Sequence, residues 1–357
     1  MLSKLKAAVF RTARWSGVMS IVSASAWRRE RLLILCYHWL SFRDEHLADP
    51  TYITPAFFRR RLERLRAGGY SVLPLTEALD RLKRGDLPPR SVAITFDDGT
   101  RDFAEFAAPL LREFSMPATV YVTTYYCEHP YPVFDIALRY LLWRSQANHE
   151  LIPAVLGAGH SLPRDANRDA IWRALYDHTK VHGFSAAQKN DMLRRVAEIG
   201  GVDFDDFLAS GMFQQMTPAQ VRDLPHDLID VQLHTHRHRT PRVHAEFIRE
   251  IRDNREYLNS YLGGARLDHF CYPSGDYWAE FLPWLHDEGV QSATTCVPGF
   301  ATRHDPLLLL PRFLDSSGIS DLLFDAWLSG FADFFPRRRK HRADAGRLAP
   351  AEAIASS

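Results

Sequence analysis

The residues best suited to chemistry follow a short apolar segment, where Asp97 and Asp98 stand side by side before Gly99. Residues 91–96 are mostly apolar or β-branched and predict a buried strand, and Gly99 permits a turn directly after it. Successive side chains of an extended chain point in opposite directions. We therefore expect the two carboxylates to differ in role, one binding a metal and the other facing a substrate. A solvated Asp-Asp-Gly turn is the alternative interpretation.

A second polar cluster, which contains His234 and His238, follows another predicted strand at 228–233. Their spacing is that of a helix-borne zinc motif, but the residues before them are strand-like and Pro241 follows, so we place them on a strand end and its loop. A Pro-Ser-Gly turn at 273–275 follows a third predicted strand. In a parallel β/α barrel such strand ends meet on one face. Two imidazoles and one carboxylate are a common ligand set for a catalytic divalent ion.

The elements that must position these residues alternate between strands and helices along most of the chain. Strands are predicted near 31–38, 70–73, 91–96, 117–122, 228–233, 268–272, 290–295 and 307–314. A helix is predicted to begin after Thr54 as N-cap, with Pro55 at its first position. The alternation breaks from about 132 to 216, where the pattern indicates an inserted helical subdomain. We expect it either to overhang the site as a lid or to serve only in packing.

The composition is that of a globular protein and gives no indication of a polyanionic partner. The 357 residues are 46% hydrophobic and 24% charged, and the formal net charge is +1, which argues against nucleic acid as a partner. Four cysteines without paired short spacing predict free thiols rather than a disulfide framework or a zinc knuckle. No segment approaches the roughly 20 apolar residues of a transmembrane helix.

Both ends of the chain combine basic and apolar residues. Residues 1–30 predict a basic amphipathic helix on the protein or on a membrane surface, with a cleaved signal as the less favoured alternative. Residues 319–342 predict an amphipathic helix and a basic cluster that can dock on anionic lipid, or else a capping helix with a solvated tail. Residues 343–357 predict a disordered tail. We expect a cytoplasmic location that extends to peripheral contact with the inner face of the membrane.

Three motifs together resemble those of a known family. TFDDG at 95–99 and HTHRH at 234–238 resemble the first two motifs of the polysaccharide deacetylases, carbohydrate esterase family 4 with its NodB-homology domain. FCYPSG at 270–275 resembles the third motif. The resemblance implies an α/β fold, a distorted (β/α)7 barrel over about 31–318, with its core motifs within 91–315. It also implies metal-dependent removal of an N-acetyl group from a sugar, with release of acetate.

Transferred position by position, the resemblance implies one divalent metal ion, with Zn²⁺ favoured and Co²⁺ or another first-row metal as alternatives. Asp98, His234 and His238 would hold this ion. Asp97 would be the general base that accepts a proton from the attacking water. This division agrees with the separate roles that strand alternation predicts for the two adjacent carboxylates.

The same resemblance assigns groups around the substrate. The backbone N–H of Ser274 would stabilise the oxyanion, and Tyr272 and Pro273 would contact the substrate. Thr235 would orient the histidine loop and belongs to the same substrate-binding set. Aromatic side chains on loops after strands are candidates for stacking on pyranose rings or, alternatively, for packing: Tyr125, Tyr126, Tyr272, Tyr277 and Trp278.

The sequence departs from the family pattern in three places. Cys271 stands where the third motif usually begins with an arginine that steadies the base, so Asp97 needs another tether. The usual Asp-Trp motif is not recognisable, and neither is the late histidine that normally acts as general acid. One branch, which acts on poly-N-acetylglucosamine, is thought to use an early histidine instead. His38 is therefore the candidate acid, with His236 and Asp315 as weaker alternatives.

The leading hypothesis is a metal-dependent hydrolase that removes N-acetyl groups from a saccharide or a polysaccharide precursor. An amidohydrolase of a small non-sugar amide is the second hypothesis, because this fold also hosts such activities and Cys271 could reflect another substrate. A catalytically impaired saccharide-binding protein is the third. The intact Asp97 argues against it, since a protein that only binds needs no base.

Overall fold

The fold is seen in a computed structural model that describes residues 4–129, 131–147, 150–163 and 165–335. The strands are β1 (Leu33–Tyr37), β2 (Trp39–Leu40), β3 (Tyr52–Ile53), β4 (Ser71–Val72), β5 (Ser91–Phe96), β6 (Ala118–Val122), β7 (Ile229–Leu233), β8 (His269–Cys271), β9 (Ser292–Thr294) and β10 (Phe313–Leu314).

Helices precede, separate and follow these strands. They are α1 (Lys4–Trp15), α2 (Val18–Ala24), α3 (Ala26–Arg29), α4 (Glu45–Ala48), α5 (Pro55–Ala67), α6 (Leu75–Arg84), α7 (Ala108–Phe114), α8 (Phe134–Arg144), α9 (Leu151–Leu156), α10 (Arg168–Val181), α11 (Ala186–Gly200), α12 (Phe204–Ala209), α13 (Pro218–Arg222), α14 (His244–Leu262), α15 (Phe281–Asp287) and α16 (Asp321–Ser329). A π-helical turn occupies Phe103–Ala107, and 3₁₀ turns occupy Pro273–Gly275, Leu307–Leu309 and Phe331–Phe334.

Eight strands form one parallel sheet in the order β10-β1-β5-β6-β7-β8-β9, with β4 beside the first half of β5. Leu310 forms a parallel bridge with Thr294 in β9, and β10 then pairs with β1. The segment that ends in β10 therefore connects the two edges of the curled sheet. The prediction of a distorted (β/α)7 barrel with an inserted helical part is confirmed.

The strand sequences reflect burial on both faces. Every residue of β1, β5 and β6 is buried, as expected when helices cover a parallel sheet. Helix α5 begins as predicted, because the Thr54 hydroxyl accepts a hydrogen bond from the Phe57 N–H at 3.1 Å. The apolar strands and capped helices thus fix where each strand ends, and the polar residues stand at those ends.

Helices α8–α12 lie between β6 and β7 and share an apolar core of their own, which includes Leu138, Leu175 and Val196. The chain returns from this insertion directly beside the acid pair. The Met216 N–H donates to the Gly99 carbonyl oxygen at 3.0 Å. The insertion is therefore anchored to the loop that carries Asp97 and Asp98.

Helices α1–α3 pack against the barrel and against the last helical segment. Phe10 is buried, with its ring centroid 5.6 Å from that of Phe331 and 5.1 Å from that of Phe335. No helix in the described part of the chain is long and apolar enough to cross a membrane. The predicted basic cluster that ends at 342 and the predicted tail at 343–357 lie outside the described residues.

The buried His269 in β8 predicts a specific pH dependence of stability. Its ring nitrogens lie 2.7 Å from the Thr76 hydroxyl and 2.8 Å from the Ser292 hydroxyl, and burial lowers its pKa to about 4. The unfolded chain takes up a proton near pH 6.5, which the folded protein does not do until about pH 4. The free energy of unfolding should therefore fall by about 2 kcal/mol from this group between pH 7.5 and 5.

Urea denaturation at both pH values measures this effect. In His269→Asn, whose side chain does not titrate, the free energy of unfolding should fall by about 2 kcal/mol less between the two pH values. His286→Asn is the control, because His286 is exposed on α15. An unchanged pH dependence in His269→Asn would contradict the prediction.

Candidate active site

The acid pair follows β5 in a tight turn. Asp98 and Gly99 both have positive φ values, +71° and +72°. A Cβ at position 99 would lie 2.8 Å from the Val122 side chain, so only glycine fits there without displacing β6. The turn aims Asp97 and Asp98 at different partners, as the strand alternation predicts.

Asp98 faces two histidines. Its Oδ1 lies 3.1 Å from His234 Nε2 and 3.2 Å from His238 Nε2, and one ligand atom from each of the three residues lies within 4.8 Å of the others. Burial raises the pKa of Asp98, but the hydrogen bonds and charges of the two histidines outweigh it and hold the pKa well below its usual value. The structure thus brings together an ionised carboxylate and two imidazoles.

These three side chains fit a first-row divalent metal. His234 Nδ1 lies 2.8 Å from the Cys271 carbonyl oxygen, to which it can only donate. The lone pair is then on Nε2, the nitrogen that faces Asp98, as in histidines that ligate metals. Nitrogen and carboxylate donors of this kind are typical of Zn²⁺ sites that leave a position open for water.

Buried polar contacts hold the loop that carries His234 and His238, which we call the histidine loop. The His234 N–H donates to Asn254 Oδ1 at 2.9 Å, and Asn254 Nδ2 donates to the Val122 carbonyl oxygen at 3.0 Å. Thr235 has a φ of +62°, is completely buried, and accepts a hydrogen bond from the Arg239 N–H at 3.2 Å. Thr235 is therefore positioned to orient the loop, and its assignment to substrate binding stays a prediction for a residue that is completely buried.

Asp97 is paired with Arg312, a residue to which the sequence motifs give no role. Arg312 Nη1 and Nη2 donate to the two carboxylate oxygens at 2.6 Å and 2.7 Å. Nη2 also lies 3.2 Å from Cys271 Sγ, and Cys271 Sγ lies 3.4 Å from Asp97 Oδ2. The guanidinium group thus enters from the neighbouring C-terminal segment and supplies the tether that Cys271 cannot.

The ion pair sets the charge state of the candidate base. Burial raises the pKa of Asp97, but the charge and hydrogen bonds of Arg312 outweigh it and leave the pKa below its ordinary value. Arg312 Nε also donates to the Thr295 carbonyl oxygen at 3.0 Å. One sequence signal could have identified it: an arginine inside an apolar strand segment is rarely buried without an anionic partner.

His38 stands next to Asp97 on the adjacent strand. Its Nε2 lies 3.6 Å from Asp97 Oδ2, and its side chain is 19% exposed. Tyr37 in β1 is in register with Phe96 in β5, so the residues that follow them are neighbours at the strand ends. The imidazole is therefore beside the base and still reachable from the mouth of the site.

The two alternative acids are engaged elsewhere. His236 Nδ1 lies 2.8 Å from the Thr124 hydroxyl, and its ring stacks on Tyr257 with a centroid separation of 4.8 Å. Asp315 accepts a hydrogen bond from Arg61 Nε at 2.8 Å, and both side chains are fully buried. The structure places neither residue in the cluster.

The third motif forms the rim of the site. Ser274 is exposed and has a φ of +58°, and among the described residues no hydrogen-bond partner is found for its N–H. Tyr272 is 1% exposed, and its hydroxyl donates to the Leu308 carbonyl oxygen. Pro273 is also buried. The Tyr272 and Pro273 side chains thus point away from the rim, and the assignment of the two residues to substrate binding stays a prediction, whereas the Ser274 N–H remains available.

The remaining candidate stacking residues differ in accessibility. Tyr277 is buried, and the guanidinium of Arg242 covers the Trp278 ring at 4.0 Å from its centroid. Tyr125 and Tyr126, on the loop after β6, are half-buried. Tyr125 lies next to the loop that carries the histidines, where its N–H donates to the His236 carbonyl oxygen, and its ring stacks on His129 with a centroid separation of 5.2 Å.

The insertion reaches the mouth of the site through the first turn of α8. Burial raises the pKa of Asp135, and the charges of His238 and Asp98 both act on its carboxyl group. Asp135 is therefore within electrostatic range of the cluster. The lid and the packing role of the insertion both stay predictions.

Comparison with known proteins identifies the family. The family model for polysaccharide deacetylase matches residues 84–293, more than half of the chain. The chain belongs to the polysaccharide deacetylase family, whose members are hydrolases that act on the C–N bonds of N-acetyl groups. A search of curated proteins found no match.

Solved structures share the fold at low sequence identity. A deacetylase from Streptococcus pyogenes, PplD, solved in complex with acetate, is 19% identical with a TM-score of 0.52, covering 81% of this chain and 94% of its own. IcaB from Ammonifex degensii is 19% identical with a TM-score of 0.51, covering 84% of this chain and 97% of its own. At this level of sequence identity, the two structures show a shared fold.

The buried ion pair predicts a double effect of replacing Arg312. Arg312→Met leaves Asp97 buried without its counter-charge, so the protein should lose about 3–5 kcal/mol of unfolding free energy and most of its hydrolytic turnover. Arg312→Lys keeps the charge but cannot pair through two donors, so both losses should be smaller. Urea denaturation and acetate release measure them.

Arg242→Met is the matched control, because Arg242 pairs with Glu280 at the surface and is 52% exposed. It should cost less than about 1 kcal/mol. Equal stability of Arg312→Met and Arg242→Met would show that the buried pair is not structural.

Proposed function

We propose that the protein is a metal-dependent deacetylase that removes N-acetyl groups from an N-acetylated saccharide or a polysaccharide precursor. The observation that carries the proposal is the side-by-side placement of two groups of residues. Asp98, His234 and His238 form a ligand set, and the ion-paired Asp97 lies next to it with His38 within 3.6 Å.

A divalent ion held by Asp98, His234 and His238 would polarise the amide carbonyl and lower the pKa of a water molecule towards ~7. Zn²⁺ suits the nitrogen-rich set best, and Co²⁺ or another first-row ion would fit the same donors.

Asp97 accepts the proton when the water oxygen bonds to the carbonyl carbon. Arg312 holds this carboxylate ionised and oriented through two hydrogen bonds. The negative charge that develops on the carbonyl oxygen can be met by the N–H of Ser274, and one such donor is typically worth ~3 kcal/mol.

His38 donates a proton to the amide nitrogen as the C–N bond breaks. The products are then acetate and the free amine of the sugar. Because His38 and Asp97 stand side by side at the ends of adjacent strands, one imidazole and one carboxylate can divide the acid and base roles at the scissile bond.

The accessibility of the cluster favours a saccharide over a small amide. His238 is 39% exposed and Ser274 is exposed at the rim, whereas a small-amide enzyme should enclose its substrate. The complete base with its counter-ion also argues against a protein that only binds saccharides.

Metal removal and replacement test the proposal. Acetate release from N-acetylglucosamine oligomers should stop after chelation and return with Zn²⁺ or Co²⁺. Asp98→Ala should lose both metal and activity. Asp97→Asn should keep the metal, measured by elemental analysis, and lose 10²–10⁴-fold in turnover, the range typical of a general base.

Asp177→Asn, at an exposed carboxylate of α10, is the control and should behave as wild type. Full acetate release by the chelated protein, or by Asp98→Ala, would rule out the metal-dependent proposal. Metal binding without acetate release would move the small-amide and binding-protein hypotheses ahead.

The role of His38 has its own test. His38→Gln should lower kcat for the oligomers by about 10²-fold or more without changing the metal content. Hydrolysis of 4-nitrophenyl acetate, whose leaving group needs no proton, should fall far less. His226→Gln, at an exposed histidine, is the control.

An equal loss on both substrates would mean that His38 only supports the structure of the site. An undiminished kcat for the oligomers would exclude it as the acid.

A further inference from the structure

Exposed apolar side chains are concentrated at the N-terminal helices. Twelve large apolar side chains are exposed among the described residues, and five of them lie between residues 5 and 21: Leu5, Val9, Trp15, Val18 and Ile21. Trp15 is 91% exposed, Leu5 77% and Ile21 70%. Single exposed apolar residues are ordinary, but such a concentration marks a contact surface. We call these five residues the N-terminal patch.

The patch is not a product of loose packing. The opposite side of α1 is anchored by the buried Phe10, and α2 is anchored by the buried Met19. Arg14 Nη1 pairs with Asp325 Oδ2 of α16 at 3.1 Å. Helices α1 and α2 therefore already have one face in the core of the protein and present a second apolar face outward.

Basic residues are frequent in the segment that carries the patch. Residues 4–31 contain seven Lys or Arg and a single acidic residue, Glu30. Arg11 and Arg29 are exposed, whereas Arg28 is fully buried. The exposed apolar side chains thus lie in a segment with an excess of positive charge.

We propose that the N-terminal patch, with the basic residues around it, is a peripheral docking surface for a bilayer that contains anionic lipid. Exposed tryptophan and aliphatic side chains flanked by cations are suited to the boundary between headgroups and acyl chains. The excess of positive charge within residues 4–31 favours anionic lipid over a second copy of the chain, since a copy would bring the same positive charges together.

Arg28 ties the N-terminal helices to the end of β5 that is remote from the acid pair. Arg28, in α3 just after the patch, donates to the carbonyl oxygen of Ser91, the first residue of β5. Asp97 and Asp98 follow the last residue of the same strand. Six residues at about 3.3 Å each separate the two ends by roughly 20 Å.

Vesicle co-sedimentation of the full chain tests the proposal. Wild type should bind vesicles of phosphatidylcholine with phosphatidylglycerol at least tenfold more strongly than phosphatidylcholine alone, and binding should weaken with salt. Trp15→Ser combined with Ile21→Ser should reduce binding to the anionic vesicles at least tenfold. Arg11→Gln should reduce it less and lower the salt dependence.

The matched control is Leu47→Ser combined with Val181→Ser, which removes side chains that are 67% and 79% exposed elsewhere on the surface. It should bind as wild type. Circular dichroism and acetate release should be unchanged in both double variants, because neither touches the active site.

Two outcomes would overturn the proposal. One is that wild type does not sediment with anionic vesicles, or that the patch variant and the control bind equally. The other is a wild-type dimer in light scattering that Trp15→Ser dissociates while vesicle binding persists, which would make the patch a self-association surface.

Discussion

The ion pair between Asp97 and Arg312 is the interaction on which both the fold and the site depend. Both side chains are almost completely buried, at 3% and 1% exposure, and burying two charges is costly unless their hydrogen bonds are satisfied. Here the guanidinium uses two donors on the carboxylate and others on Thr95 and the Thr295 carbonyl oxygen. The segment that carries Arg312 also connects β9 to β1. The contact that orients the base therefore also closes the barrel.

The parts of the site that could be predicted are those encoded locally. An apolar strand followed by Asp97 and Asp98, and another followed by His234 and His238, place chemical groups at strand ends, and parallel pairing brings those ends together. Arg312 could not be found in this way because its partner is 215 positions away in sequence. The residues around Arg312 come together only when the segment that ends in β10 joins the two edges of the sheet.

Two residues that were predicted to bind substrate have buried side chains for a common physical reason. Thr235 and Tyr272 stand beside residues of the site in sequence, but neighbouring positions at a strand end alternate between the mouth and the interior. Both side chains are buried, and each hydrogen-bonds to main chain. A motif indicates which residues share a loop, whereas the direction of each side chain depends on positive φ values such as that of Thr235, +62°.

Asp315, directly after the last strand, is engaged in buried contacts away from the cluster. The final strand offers no histidine, and its carboxylate is held by Arg61 and by the Tyr37 hydroxyl. These contacts tie α5 and β1 to the segment after β10, although burial raises the pKa of Asp315 to about 6 despite its partners. The position beside Asp97 is supplied instead by His38, which the register of β1 and β5 brings there.

The N-terminal helices are tied to the barrel as firmly as the catalytic loops. Arg28 is fully buried and donates to the carbonyl oxygens of Leu328, Arg31 and Ser91. Burial lowers its pKa to about 10, which still leaves it charged at neutral pH. Because Arg28 links α3 to the first residue of β5, any surface that binds these helices is fixed in orientation to the strand that ends at the acid pair. The contact of Arg28 with the first residue of β5 thus fixes how the N-terminal helices are oriented relative to the acid pair.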